Sequence, residues 1–325
     1  MTLIALEEHF ALAETLGDSR QYSVSGGWSE LKDRLLDVGG LRLAEMDRCG
    51  IGFAILSLNA PAIQAIGGTL QAIETAQRAN DTLAAAIAVH PDRFGGFAAL
   101  PMQAPAAAAA ELRRAVSELG FAGALVNGFS EREGAVLYYD APEYQPFWAE
   151  LERLNVPFYL HPRDPLLSRE PILDGHPWLQ GSAWAFGVET ATHALRLMAS
   201  GLFDRHPQLT MILGHLGEML PFNAWRIDHR LAKSPRGIPA RRTVTEYLRS
   251  NVYLTTSGHF RTPALADAIA EVGVERVLFS VDYPFEDMAE AVHWLQSAEI
   301  DEGTRTAIGR GNAARLFELQ AGQSR

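Results

Sequence analysis

Four separated segments of this chain set carboxylates or imidazoles where short apolar runs end. They are Leu6-Glu7-Glu8-His9-Phe10, Tyr159-Leu160-His161-Pro162, Gly214-His215-Leu216-Gly217-Glu218 and Ser280-Val281-Asp282-Tyr283-Pro284. Strand residues at i and i+2 share a face, so Glu7 and His9 project together while Glu8 points away. A carboxylate and an imidazole converging at a strand's C-terminal end is how a barrel begins a divalent-metal site. One acid, two imidazoles and a further carboxylate make a four-donor set with an open position for substrate. Such donors suit Zn²⁺ and Mn²⁺ alike, with Mg²⁺ as a further option.

Each residue also has a bland reading. His161 could simply finish a buried strand, and Asp282 could cap a helix. Glu218 is either an acid at a helix start or an orienting partner for His215. Three of the ten histidines, His9, His161 and His215, fall at strand ends, which argues against chance. His90, His176, His193, His206, His229 and His293 read as helix or loop surface residues.

The elements that must position these groups alternate. Apolar runs occupy 3–6, 53–58, 94–100, 121–126, 156–160, 209–213, 252–256 and 277–281. Helical patterns follow at 28–49, 69–89, 105–119, 142–154, 185–203, 218–231, 263–272 and 287–296, with another at 304–319. Eight strand-then-helix units predict an α/β fold, a TIM-like (β/α)8 barrel in a single domain spanning 1–325. A doubly wound open sheet is less favoured, because neither a dinucleotide nor a phosphate-loop fingerprint follows any strand. A barrel draws its functional groups from C-terminal strand ends. Asn59 and Asn127 therefore join the candidates, as do Ser257 and His259. Two segments, 11–27 and 162–181, interrupt the repeat and are expected to overhang the mouth. In and beside them, Tyr22, Trp28, Trp178, Trp184 and Phe186 are placed either to sandwich a planar ring or to pack as a lid.

Composition narrows the partners. A net charge of −11 argues against nucleic acid and anionic membranes. No apolar run approaches the roughly 18 residues needed to cross a bilayer, nor does a signal-like segment open the chain. The single Cys49 fits a reducing compartment, so a cytoplasmic protein is expected. Lys32 and Lys233 are the only lysines and neither lies at a strand end, which favours one metal over a lysine-bridged pair.

Taken in order, these motifs, with Thr255-Thr256-Ser257-Gly258-His259-Phe260, resemble the amidohydrolase-superfamily (amidohydrolase 2) aromatic acid decarboxylases. Within that group the chain is most similar to the γ-resorcylate (2,6-dihydroxybenzoate) and 2,3-dihydroxybenzoate decarboxylases. The likeness runs nearly end to end, through Leu56-Ser57-Leu58-Asn59-Ala60-Pro61 and Ala124-Leu125-Val126-Asn127-Gly128-Phe129. It implies one divalent metal held by Glu7, His9, His161 and Asp282, with His215 and Glu218 beside it. It implies reversible, non-oxidative loss of CO2 from an ortho-hydroxybenzoate, Asp282 acting as general acid. It further implies a homotetramer, a dimer of dimers, in which Arg226 reaches a neighbour's pocket. Tyr22 stands where the resorcylate enzymes carry a phenylalanine over the ring, and Asn59 and Phe186 complete the expected substrate contacts. The rival readings are a mononuclear hydrolase of a lactone or amide, with Asp282 as base, and a catalytically dead barrel that only binds.

Overall fold

The computed structural model describes residues 2–23, 26–166 and 171–319. Eight parallel strands form a nearly closed barrel in the order β1 (Leu3–Phe10), β2 (Ile51–Leu58), β3 (Phe94–Ala98), β4 (Gly123–Asn127), β7 (Phe158–His161), β8 (Met211–Leu213), β9 (Val252–Thr255) and β10 (Val277–Leu278). A short antiparallel hairpin, β5 (Ser130–Arg132) and β6 (Ala135–Leu137), follows β4 and was not expected. Each apolar run became a strand because a parallel strand covered on both faces is apolar throughout. Every residue of β1 and β2 is buried.

Two layers of core result. Ile4, Leu6, Phe53, Ile55, Phe97 and Tyr159 fill the barrel interior, and Ala313, Leu316 and Phe317 pack beneath them as a floor. Leu3, Ala5, Phe10, Leu56 and Leu58 face outward into the shell of helices.

Several boundaries differ from expectation. The helical pattern 28–49 is two helices, Trp28–Leu36 and Leu41–Cys49, separated by residues 37–40 with Gly39 and Gly40. The pattern 185–203 breaks at Gly201, whose φ of 73° ends Ala185–Ala199 before Leu202–Arg205. The first strand continues past Leu6 to Phe10, so Glu7 and His9 lie within it. The last strand is only two residues long, and Asp282 stands beyond it. Among the described residues no helix is long and apolar enough to cross a membrane.

Candidate active site

The aim of Glu7 depends on an irregularity in β1. Ala5 pairs with Ala54 and Glu8 with Leu56, so three steps on β1 oppose two on β2. That extra residue is a β-bulge. It lets Leu6 face the barrel interior and Glu7, the next residue, face the mouth, with His9 two residues on. Strand β7 ends on His161, and the chain after β10 supplies Asp282.

One donor atom from each of Glu7, His9, His161 and Asp282 lies within 4.8 Å of all the others. Glu7 Oε1 is 3.2 Å from His161 Nε2, and His9 Nε2 is 3.1 Å from Asp282 Oδ1. Yet Glu7 Oε1 and His9 Nε2 are buried with no hydrogen-bond partner. Their lone pairs converge on a common point, the arrangement a single divalent cation satisfies. Ser57 Oγ, 3.1 Å from His9 Nδ1, turns the opposite ring nitrogen toward that point.

The second oxygen of Glu7 is fully occupied. Oε2 accepts from the hydroxyls of Tyr159 and Ser257, and from Thr255 Oγ1 at 3.3 Å. Ser257 Oγ also accepts from the backbone N–H of His215 at 3.1 Å. Only Oε1 is left facing the cluster.

His215 and Glu218 sit on a left-handed turn. His215, Leu216, Gly217, Glu218 and Met219 have φ of 50°, 54°, 87°, 52° and 66°. For L-residues this conformation costs roughly 1–2 kcal/mol each, and it collects at functional sites. One such turn brings His215 Nδ1 to 2.7 Å from Glu218 Oε1. The other ring nitrogen, Nε2, lies 3.5 Å from Asp282 Oδ2 and 3.8 Å from Glu7 Oε1. Glu218 is thus an orienting partner, while the helix that follows begins at Leu220. Asp282 caps nothing; Asp287 caps the helix Met288–Ser297 through the Glu290 N–H.

Charge is shared unevenly. Burial resists ionisation of Glu7, but facing His215, His161 and His9 hold its carboxyl well below the usual range. Burial likewise opposes ionisation of Asp282, and the facing imidazoles of His215 and His9 outweigh it, lowering its carboxyl. Burial disfavours protonated His215, but Glu218, Glu7 and Asp282 raise it well above an ordinary imidazole. His9 is pushed down by burial, against the pull of Asp282, which suits a neutral ligand. Nearby, Glu286 is pushed up to about 7 by burial and by the charges of Asp282 and Glu290.

The remaining candidates lie around this cluster with mixed engagement. Asn59 is buried with its side chain spent on the first insertion. Its Oδ1 accepts from Thr15 Oγ1, and its Nδ2 donates to the Thr15 carbonyl and Ser19 Oγ. Tyr22 lies edge-on to Phe186, ring centres 5.2 Å apart. Its hydroxyl donates to Asp164 Oδ2 at 3.2 Å, and Asp164 Oδ1 accepts from the Gly181 N–H. Trp28 packs with Leu31, Leu35 and Phe285 as lid core, whereas Trp178 and Trp184 are exposed. Arg226 is exposed on the helix Leu220–Lys233 and lines a cavity of about 390 Å³ together with Glu218, Met219 and Asn223. His193, expected at the surface, is instead fully buried, because the inward face of its helix includes Thr190, Ala194 and Leu197.

The profile of the amidohydrolase family matches residues 37–319. The chain belongs to the amidohydrolase family. It is 58% identical to the γ-resorcylate decarboxylase of Rhizobium sp. (strain MTP-10005), over 97% of this chain and 98% of that one. A crystal structure of 2,6-dihydroxybenzoate decarboxylase complexed with 2,6-dihydroxybenzoate superposes with a TM-score of 0.96 at 57% identity, covering 98% of this chain and 100% of that one. A dihydroxybenzoic acid decarboxylase from Polaromonas sp. JS666, with bound manganese and the inhibitor 2-nitroresorcinol, also gives 0.96, at 55% identity over 99% of this chain and 98% of that one.

Sequence reasoning named Ser257 as a candidate but missed the other groups that aim this amidohydrolase site. Thr255, at the end of β9, shares a face with Ser257, and that spacing was the available signal. Tyr159, two residues before His161, carried the same one. Ser280 and Arg42 carried none, because their partners are far away in the chain.

Proposed function

We propose that this chain catalyses metal-dependent, non-oxidative decarboxylation of an ortho-hydroxybenzoate to the phenol and CO2, reversibly, with 2,6-dihydroxybenzoate preferred over 2,3-dihydroxybenzoate. The observation that carries the reading is the convergence of Glu7, His9, His161 and Asp282 beside the His215–Glu218 pair, in a chain 58% identical to a γ-resorcylate decarboxylase. These four residues would hold one divalent cation, Mn²⁺ being the first choice and Zn²⁺ or Mg²⁺ the rivals. Such a cation supplies Lewis acidity and a template for the substrate carboxylate and neighbouring phenolic oxygen.

The side chains then move one proton. Asp282 delivers it to the ring carbon that bears the carboxylate, forming a C–H bond at the expense of ring electrons. The C–C bond to the carboxylate breaks next, its electron pair returns to the ring, and CO2 leaves. His215, held by Glu218, returns a proton to Asp282 across the 3.5 Å separating them. The negative charge of an arriving carboxylate raises the Asp282 carboxyl and so favours this transfer. Tyr22 and Phe186 wall the ring, with the Tyr22 hydroxyl turned to Asp164. The hydrolase reading is less favoured: where a bridging lysine would stand after β4, Asn127 donates to the carbonyls of Asn59 and Pro61.

We read the protein as one barrel domain over residues 1–325, working in the cytoplasm as a homotetramer. Phe222 and Trp225, 80% and 69% exposed and three residues apart on one face of the helix Leu220–Lys233, support a subunit contact that carries Arg226 toward a neighbour. A CO2-release screen over 2,6-, 2,3- and 2,4-dihydroxybenzoate and salicylate, with metal analysis of the same sample, tests the function. Release from 2,6-dihydroxybenzoate is expected; no release from any of them would refute it.

A further inference from the structure

Both ends of the cluster meet at the seam where the barrel closes. Glu7 and His9 come from the first strand, and Asp282 follows the last. Strand β10 stops at Leu278, and its neighbour in the sheet is β9, so no regular ladder joins it to β1. Among the described residues a single bridge, Glu8 to Tyr283, crosses the seam. Backbone bonds help: His9 N–H donates to the Tyr283 carbonyl at 2.6 Å, and Asp282 N–H donates to the Glu7 carbonyl at 3.0 Å.

Side chains supply what the ladder lacks. Ser280 Oγ accepts from both N–H groups of the bulge, Leu6 at 3.1 Å and Glu7 at 2.6 Å. It donates in turn to Glu8 Oε1 at 3.2 Å, which also accepts from the Val281 N–H at 3.0 Å. From the outside, Arg42 donates through Nη2 to the His9 carbonyl and lies 4.6 Å from the centre of the Tyr283 ring. Glu8, Arg42 and Ser280 are all completely buried. Glu8 Oε2 and Arg42 Nε and Nη1 have no hydrogen-bond partner.

We propose that Ser280, Glu8 and Arg42 form a clasp across the seam that positions Glu7, His9 and Asp282, without touching metal or substrate. Burying a carboxyl and a guanidinium with polar atoms left unpaired is a poor way to gain stability, since apolar residues of similar volume do as well or better. What the clasp does provide is direction. Ser280 holds the bulge, and the bulge is what turns Glu7 rather than Leu6 toward the mouth. Glu8 fixes Val281, next to Asp282, whose φ is 81°. That left-handed conformation must be imposed from outside. Arg42 fixes the carbonyl of His9 and the residue after Asp282. The three side chains therefore set the separation of the two donor pairs.

The clasp rests on the decarboxylase reading only for its activity arm. The test uses the full chain as Ser280→Ala, Glu8→Gln and Arg42→Lys, the last keeping charge but losing the planar fork. Three quantities are read: Mn²⁺ affinity by chelator competition, the EPR spectrum of bound Mn²⁺, and kcat and KM on 2,6-dihydroxybenzoate at saturating Mn²⁺. Loss of an outer support of this kind typically costs about 10–100-fold in metal affinity or activity. Mn²⁺ affinity and kcat are each expected to fall in that range, with KM within about 3-fold and a broadened EPR signal. Folded variants with parental Mn²⁺ affinity, spectrum and kcat would overturn the clasp. So would losses that appear wholly as a lowered melting temperature. Ser280→Ala, the smallest change, decides the matter if Arg42→Lys does not fold. Should the parent release no CO2, the functional reading fails while the Mn²⁺ affinity and EPR arm still judges the clasp.

Discussion

Replacing Asp282 by Asn separates the two jobs proposed for it, metal ligand and general acid. Asn has the same size as Asp and tolerates a left-handed backbone equally well. The φ of 81° at this position is therefore kept. An amide oxygen remains 3.1 Å from His9 Nε2 as a weak donor to a cation, beside the intact carboxylate of Glu7 and both imidazoles. What disappears is the transferable proton, together with the acceptor 3.5 Å from His215 Nε2. A positioned general acid contributes ~10²–10⁴-fold, which is ~2.7–5.4 kcal/mol of barrier. The expected variant therefore binds Mn²⁺ more weakly, yet at saturating Mn²⁺ is still at least a hundred-fold slower, by order of magnitude. Loss of 2,6-dihydroxybenzoate absorbance, read with elemental analysis of the same sample, gives turnover per bound metal. A metal-loaded Asn variant keeping a tenth or more of parental kcat would remove Asp282 from the chemistry, whatever its place in the metal site.

Chelation followed by gel filtration is expected to abolish CO2 release and Mn²⁺ to restore it; undiminished turnover by protein shown metal-free would refute the assignment. Met219 holds a φ of 66° at a partly exposed position. Met219→Asn should raise the melting temperature, because Asn relieves that strain by about 1 kcal/mol; a clear fall would show the turn unstrained. Burial pushes His193 down to about 3, so folded protein refuses a proton that the unfolded chain accepts below pH 6.5. Stability contributed by the neutral ring is intact above pH 6.5 and falls as pH drops toward 3. The slope is about 1.4 kcal/mol per pH unit. His193→Gln keeps an acceptor for the Tyr139 N–H. It should lose about 1 kcal/mol less than the parent between about pH 7 and about pH 5.5 in urea titrations; parallel pH profiles would contradict this.

The barrel was legible because each strand, buried on both faces, is written as an unbroken apolar run. Its donors were legible because a charge ending such a run is conspicuous, and because alternation alone pairs Glu7 with His9. What escaped depends on contacts between remote residues. The bulge that turns Glu7 is held by Ser280, 273 positions away. The turn from His215 to Met219 puts four residues other than glycine in a left-handed conformation, which no local preference announces. Asn59 stands at a strand end like the donors do, but Thr15 and Ser19 claim its amide. His193 looked solvated because the buried face of a helix is chosen by what packs on it.

The floor beneath the interior layer comes from the far side of the chain. Ala313 and Phe317 close on Phe97 and Tyr159, and the Asn312 amide holds the carbonyls of Val274, just before the last strand, and of Val277, its first residue. During synthesis this plug leaves the ribosome after all eight strands. A nascent barrel therefore waits with its aromatic base open to water, where a chaperone or a neighbouring chain can reach it. Truncations that stop short of residue 312 would leave that exposure permanent. For them aggregation rather than a lost catalytic group becomes the dominant fate.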